Sequence, residues 1–189
     1  MDMKKKIIYM FLMFNSTFVF AVSEEQMIAE SKQAIKLFAI QLKAQLQQGM
    51  KQGGPGNAIK VCNTAAVDIQ NQVSEKLGWK ISRTSLKLRN SNNLPDEWEK
   101  KVLNDFEQRL TSGETIEKLE FSETFNESNP AVFRYMKVIP TQGLCLNCHG
   151  DKLTPEVHEK LQKLYPQDQA IGYKVGDIRG AFTITRDIN

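Results

Sequence analysis

Apolar residues recur at helical spacing after residue 23. Ser23, with a glutamine three residues later, has the pattern of a capping box, and an apolar stripe follows it. The stripe consists of Ile28, Ile35, Phe38, Leu42 and Leu46. The glycine-rich stretch 49–56 interrupts it, and Asn57 is placed to cap a second helix that runs to Leu77 and is closed by Gly78. The pattern predicts two helices joined by a glycine-rich loop.

Later apolar positions predict a mixture of strands and helices. Strands are predicted within 79–88 and over 118–125 and 132–139. Two further helices are predicted, one between Pro95 and Gly113 and one from Thr154 to Leu164. The segments 173–175 and 181–185 are predicted to form a closing hairpin. Early helices and late strands joined by hairpins indicate an α+β fold with an antiparallel sheet and flanking helices.

The N-terminus has the pattern of a secretory signal. Met1 to Lys6 is short and basic, residues 7–20 are mostly apolar, and Val19-Phe20-Ala21 places small residues where a signal peptidase cleaves. The alternative is an uncleaved membrane anchor, but the run is shorter than the roughly 20 residues that a spanning helix needs. We therefore expect a signal peptide over residues 1–21, export to the periplasm, and no stable membrane insertion after cleavage.

Composition is that of an ordinary globular domain. Cleavage after Ala21 would shorten the 189-residue chain by 21 residues and leave enough for one domain. The lost segment holds three lysines and one aspartate, so the formal net charge falls from +3 to +1. No basic stripe with interleaved aromatic residues is present, and we expect no nucleic-acid partner.

Two of the three cysteines belong to the motif Cys145-Leu146-Asn147-Cys148-His149. A thioredoxin-like redox pair is the main alternative for a C-x-x-C sequence. The histidine directly after the second cysteine favours covalent attachment of one c-type haem, because the two thiols add across the vinyl groups and the imidazole reaches the iron. We therefore predict thioether bonds at Cys145 and Cys148 and an axial iron ligand at His149.

The third cysteine is a candidate for the second axial position of the iron. Cys62 lies on the apolar face of the predicted second helix, where a thiol is usually a small core residue. The other candidates are His158, Met27, Met50 and Met136. From the residues alone, Cys62 ranks only narrowly above Met136. Candidates to bind the haem propionates are Arg83, Arg89, Arg134 and Tyr135.

Four segments in the same order resemble a known family. They are residues 83–90 (RTSLKLRN), 93–99, 145–150 and 176–182. Together they are similar to the PAS-like c-type haem domains, which occur alone or in the extracytoplasmic region of sensor kinases and cyclases. The resemblance spans 58–189 and leaves 22–57 as an N-terminal helix and loop.

The resemblance implies a fold and a ligand set. The fold would be a PAS-like antiparallel sheet with helices packed on one side and the haem held between them. In that family a cysteine on the helix before the RTSLKLRN-like strand binds the iron opposite the motif histidine, which implies that Cys62 is the second axial ligand.

Two functions follow as expectations. The first is an exported monohaem protein that senses redox state or a gas through a PAS-like domain. The second is a small soluble electron-transfer cytochrome c. Either needs an unidentified redox or signalling protein as its partner. We do not expect an enzyme, because no distal histidine–arginine pair can be assigned and only one histidine remains besides His149.

Overall fold

The structure, a computed structural model, describes residues 22–188. The predicted signal peptide, residues 1–21, lies outside the described residues. The helices are α1 (Glu24–Leu77), α2 (Glu97–Thr111), α3 (Leu146–His149) and α4 (Pro155–Leu164). The strands are β1 (Lys80–Thr84), β2 (Glu120–Phe125), β3 (Ala131–Pro140) and β4 (Ile178–Ile188). Within this part of the chain, none of the helices has an apolar stretch long enough to cross a bilayer.

Helix α1 is bent back on itself at two glycines. Gly53 and Gly54 leave the helical conformation, and Gly54 adopts a positive φ of 64° that favours glycine. The bend divides α1 into a first arm, residues 24–52, and a second arm, residues 55–77. The two arms lie side by side, with Gly49 of the first next to Ala58 of the second. A Cβ added at Gly49 would lie 3.2 Å from the Ala58 Cα. The two predicted helices are therefore an antiparallel pair joined by a very short turn.

Two details of the predicted helix ends are wrong. Asn57 does not cap the second arm, because helical structure resumes at Pro55 and the Asn57 side chain instead donates to the Gly49 carbonyl at 3.2 Å. Ser23 does cap the first arm by accepting from the Gln26 backbone N–H at 3.2 Å. The Gln26 side chain, however, donates to Glu30, so the reciprocal bond of a capping box does not form.

The four strands form one antiparallel sheet in the order β1-β4-β3-β2. The C-terminal strand β4 lies between β1 and β3, so the predicted hairpin of 173–175 with 181–185 is wrong. The backbone of this segment is engaged elsewhere: Tyr173 N–H donates to the His149 carbonyl at 2.9 Å. A turn at 174–177 is tied to the end of β3, because Thr141 N–H donates to the Asp177 carbonyl at 2.8 Å.

Helices cover both faces of the sheet, which corrects the expected one-sided arrangement. Phe133 and Tyr135 of β3 pack with α1, whereas Met136 and Val138 of the same strand pack with α2. Because successive side chains of a strand point to opposite faces, a strand that is apolar at both sets of positions needs cover on both sides. The α1 face also carries the cavity described below.

A buried carboxylate holds α2 against the sheet. Asp96 and Glu99 form a capping box at the start of this helix. Glu99 also accepts from the Thr183 hydroxyl at 2.8 Å and from the Arg134 guanidinium at 3.2 Å. These bonds fix Arg134 on the α2 face of the sheet.

Candidate haem site

The C-x-x-C-H motif forms a helical turn. A 3-10 turn over Gly143–Cys145 leads directly into α3, which ends at His149. Residues three apart lie on the same side of a helical turn, so the Cys145 and Cys148 thiols point the same way. Helix α4 packs beneath this turn: Cys148 and Leu153 contact a cluster formed by Ile59 of α1 and three residues of the α4 region.

The imidazole of His149 is held in one tautomer. Its Nδ1 lies 2.7 Å from the Ala170 carbonyl oxygen, which only accepts, so Nδ1 carries the proton. The lone pair is therefore on Nε2, the atom that a metal would bind. Burial, together with the charges of Arg179 and Arg89, lowers the pKa of His149 to about 2. The ring is thus neutral at physiological pH, as an iron ligand must be.

All four predicted site residues line one cavity. Cys62 approaches it from the second arm of α1, while Cys145, Cys148 and His149 approach it from the motif. The cavity has a volume of about 220 Å³. Its apolar lining is supplied by Leu46, Ala58, Ile59, Ile139 and Leu144, and polar lining residues include Thr84, Ser85, Asn90, Asn93 and Tyr165. Both arms of α1 contribute, so the fold at Gly53 and Gly54 is needed to form this wall.

Cys62 is a free thiol in a largely apolar setting. Burial raises its pKa, and the charges of Arg83 and Arg89 oppose that shift. Burial also raises the pKa of Cys148, to about 11. All three cysteines are free in the described part of the chain.

The other candidates for the second axial position lie elsewhere. Met27 is buried in the core between α1 and the sheet. Met136 is buried on the opposite face, against α2. His158 is exposed on α4, and neither it nor Met50 lines the cavity. Cys62 is therefore the candidate that the fold brings to the motif, and its role as a ligand stays a prediction.

The predicted propionate partners divide into two groups. Arg83 and Arg89 line the cavity, but Arg134 and Tyr135 do not. Arg134 is paired with Asp96 and Glu99 on the α2 face, and the Tyr135 hydroxyl donates to Glu120 at 2.8 Å. Those two predictions are wrong.

Arg179 is a cavity residue that sequence reasoning missed. Its Nε lies against the His149 ring, 3.2 Å from Nδ1 and 3.4 Å from Nε2, and its Nη1 donates to the Ser85 hydroxyl at 3.0 Å. The available signal was its place in the segment 176–182, which carries part of the family resemblance and leads into the predicted strand 181–185.

The donor set fits a haem better than a bare metal ion. Among residues 22–188, no three His, Cys, Asp or Glu side chains are close enough to hold a metal by themselves. A haem brings its own four nitrogen ligands, so one or two axial side chains complete its iron. Arg83 supplies a further match, because its Nε is buried without a hydrogen-bond partner in the described structure and a carboxylate would satisfy it.

Two guanidiniums lie against the imidazole. Arg89 Nη1 lies 3.4 Å from His149 Nε2, whereas Arg179 Nε lies 3.2 Å from Nδ1 and 3.4 Å from Nε2. Because Arg179 Nε is almost equally far from both ring nitrogens, it does not lie along the Nε2 lone pair. The positive charges of both guanidiniums favour the neutral form of the ring.

The fold and the site together define a class: an α+β domain with a four-stranded antiparallel sheet and a Cys-x-x-Cys-His cavity on one face. Comparison with known proteins identifies the family. The chain matches the Tll0287-like family over residues 17–186 and belongs to it. The crystal structure of the cyanobacterial heme-protein Tll0287 is similar, with a TM-score of 0.65 and 24% sequence identity. The alignment covers 87% of this chain and 97% of that chain, which shows a shared fold. No curated protein matches this chain.

Proposed function

We propose that this protein binds one covalently attached c-type haem and acts as an exported redox protein. The observation that carries the proposal is the convergence of Cys62, Cys145, Cys148 and His149 on one cavity from segments more than eighty residues apart. The similar structure, Tll0287, is described as a heme-protein, which also supports the proposal. Thioethers at Cys145 and Cys148 would fix the haem to the α3 turn, and His149 Nε2 would bind its iron.

Cys62 is proposed as the second axial ligand. It lines the same cavity as His149 but belongs to the second arm of α1, a separate element from α3. When bound, the haem would supply a redox-active iron, and a thiolate opposite an imidazole would stabilise its ferric state and lower its potential. The apolar residues around Cys62, such as Ile59 and Leu46, would keep water away from that position.

Arg83 is proposed to bind a haem propionate. It is the predicted partner whose side chain has an unsatisfied, buried Nε on the cavity wall. Arg89 is less suited, because its guanidinium is already paired with Asp168 at 3.0 Å. A bidentate bond from Arg83 would also compensate the cost of burying its charge.

Two roles fit such a site. Sensing of redox state or a gas through a PAS-like domain is favoured by the position of Cys62 on the cavity wall, where a replaceable thiolate would allow a bound iron to exchange one of its ligands. Electron transfer is favoured by the cavity rim, because Leu144 is 40% exposed and the neighbouring Cys145 is only half-buried. A cofactor edge at this rim would be accessible to a redox partner. We propose sensing first and electron transfer second, and catalysis in neither case.

Absorption spectra of the matured protein test the ligand set and separate the roles. The parent, Cys62→Ala and a Met136→Leu control would be compared, oxidised and reduced, with and without carbon monoxide. We expect a changed ferric spectrum in Cys62→Ala and an unchanged one in the control, since Met136 lies on the other sheet face. Carbon monoxide binding to the reduced parent would support sensing, and a parent that stays fully ligated in both states would support electron transfer. An unchanged Cys62→Ala spectrum would remove Cys62 from the iron.

A further inference from the structure

We propose that Arg89 is a positioning residue that sets the orientation and the basicity of the His149 imidazole. This inference rests on the proposed function, since it concerns how the chain holds its iron ligand. Arg89 Nη2 donates to the Cys148 carbonyl at 2.6 Å and to the Ala170 carbonyl at 3.1 Å, and since it also donates to Asp168, two of these three acceptors share one N–H. One guanidinium thereby joins the motif turn to the carbonyl that accepts the hydrogen bond from His149 Nδ1–H.

Asp168 holds this guanidinium in place. Its two carboxylate oxygens accept from Arg89 Nε at 3.1 Å and from Arg89 Nη2 at 3.0 Å. The same carboxylate accepts from the Ala170 backbone N–H at 2.9 Å. The Arg89 and Asp168 side chains are only 11% and 9% exposed, so solvent does not compete for these bonds. A bidentate pair in this setting has one geometry rather than many.

The Ala170 carbonyl oxygen is the point at which Arg89 acts on His149. It accepts from His149 Nδ1–H at 2.7 Å and from Arg89 Nη2–H at 3.1 Å. A carbonyl that already accepts from a cation is a weaker acceptor for its second donor. The Nδ1 proton then stays more firmly on the ring, and Nε2 is a less basic ligand than it would be beside a free carbonyl.

The inference predicts a direction for each variant. Without the hydrogen bond from Arg89, the Ala170 carbonyl would accept a stronger hydrogen bond from Nδ1–H, and His149 would gain imidazolate character. The ferric state would be stabilised and the reduction potential would fall. Lysine keeps the positive charge but cannot reproduce the fork, so Arg89→Lys separates this effect from a loss of charge.

The experiment compares matured Arg89→Lys with the parent and with Arg179→Lys. Arg179 also contacts the His149 ring and also keeps its charge as lysine, but it makes no bond to the Ala170 carbonyl. The two readouts are the midpoint potential and, in a Cys62→Ala background, the iron–histidine stretching frequency of the reduced protein. We expect Arg89→Lys to lower the potential and raise the frequency, with Arg179→Lys near the parent in both.

Equal shifts in the two lysine variants, or no shift in Arg89→Lys, would overturn the inference. Where Arg89→Lys fails to fold because Asp168 is left unpaired, the double variant Arg89→Gln with Asp168→Asn removes both charges and should show the same rise in frequency. A double variant with the parent frequency would also overturn it. Acid–acetone extraction of the parent tests the proposed function separately, because that proposal fails if the parent loses its haem. If the parent retains its haem, the comparison of the lysine variants tests the role of Arg89 alone.

Discussion

Gly180 of β4 packs against the end of β1 at the edge of the cavity, and Gly180→Ala tests that packing. Its φ of 153° lies in a region that side-chain-bearing residues rarely adopt. A Cβ there would overlap the Thr84 carbonyl oxygen and lie 3.1 Å from the Ser85 Cβ. The overlap is with the backbone of the neighbouring strand, so a rotamer change does not relieve it.

The expected cost has two parts. Backbone strain at such a φ is worth about 1–3 kcal/mol. Forcing a methyl group into a packed region adds about 1–3 kcal/mol. The sum, roughly 2–6 kcal/mol, is a large share of the roughly 5–15 kcal/mol by which domains are stable. At about 2–4 °C per kcal/mol for a chain of this size, a central value of about 4 kcal/mol lowers the melting temperature by about 8–16 °C.

Gly113→Ala is the matched control. Gly113 also has a positive φ, of 93°, but a Cβ there meets no atom within 4 Å. It should show the strain alone, about 1–3 kcal/mol. Thermal and urea unfolding of both variants, followed by circular dichroism, gives the comparison. If Gly180→Ala is no less stable than Gly113→Ala, the close approach of β4 to β1 is not as tight as described.

Three further predictions concern other parts of the molecule. Glu99→Ala should destabilise the fold by about 1–3 kcal/mol in urea unfolding, since it leaves the buried Thr183 hydroxyl without its acceptor and leaves Arg134 with only the more exposed Asp96. Glu114→Gln, at a partly exposed surface pair, should change the midpoint less. Partial burial raises the pKa of Asp96, but the hydrogen bonds from Arg134 and from backbone N–H groups outweigh that effect and hold the pKa below its ordinary 3.8. The ionised Asp96 therefore stabilises the fold above about pH 4, and this stabilisation is lost as the pH falls through its lowered pKa. Asp96→Asn should make the free energy of unfolding depend less on pH below about pH 4. The same pH dependence in the variant and the parent would contradict this. The mature protein should begin near Val22 by N-terminal sequencing and be found outside the cytoplasm, and an intact Met1 on haem-loaded protein would refute export.

Local patterns predicted much of the secondary structure. Helix α4 has the predicted ends, because Thr154 caps it and Pro155 occupies its first turn, both of which are local signals. Strands β2 and β3 lie within a residue or two of their predicted ranges. The haem motif was identified from five consecutive residues, and its conformation as a helical turn follows from contacts that the pattern does not contain.

The features that the local sequence patterns did not predict depend mostly on contacts between residues far apart in the sequence. The segment 173–175 alternates like a strand, but its backbone bonds to His149, a partner 24 residues away that no turn signal indicates. The side of Arg134 could have been predicted, since it lies between Phe133 and Tyr135, which face α1. The roles of Arg89 and Asp168, in contrast, depend on a pairing across 79 residues, and the spacing of charges along the chain does not encode it.

Covalent attachment of one haem at Cys145 and Cys148 is the central claim, and the mass of the denatured, matured protein tests it most directly. After acid–acetone extraction, the parent chain should still carry the added mass of one haem, since thioether bonds survive denaturation. The double variant Cys145→Ser with Cys148→Ser, made in the same way, should carry none. A parent chain that returns to the mass of the bare polypeptide would contradict the account.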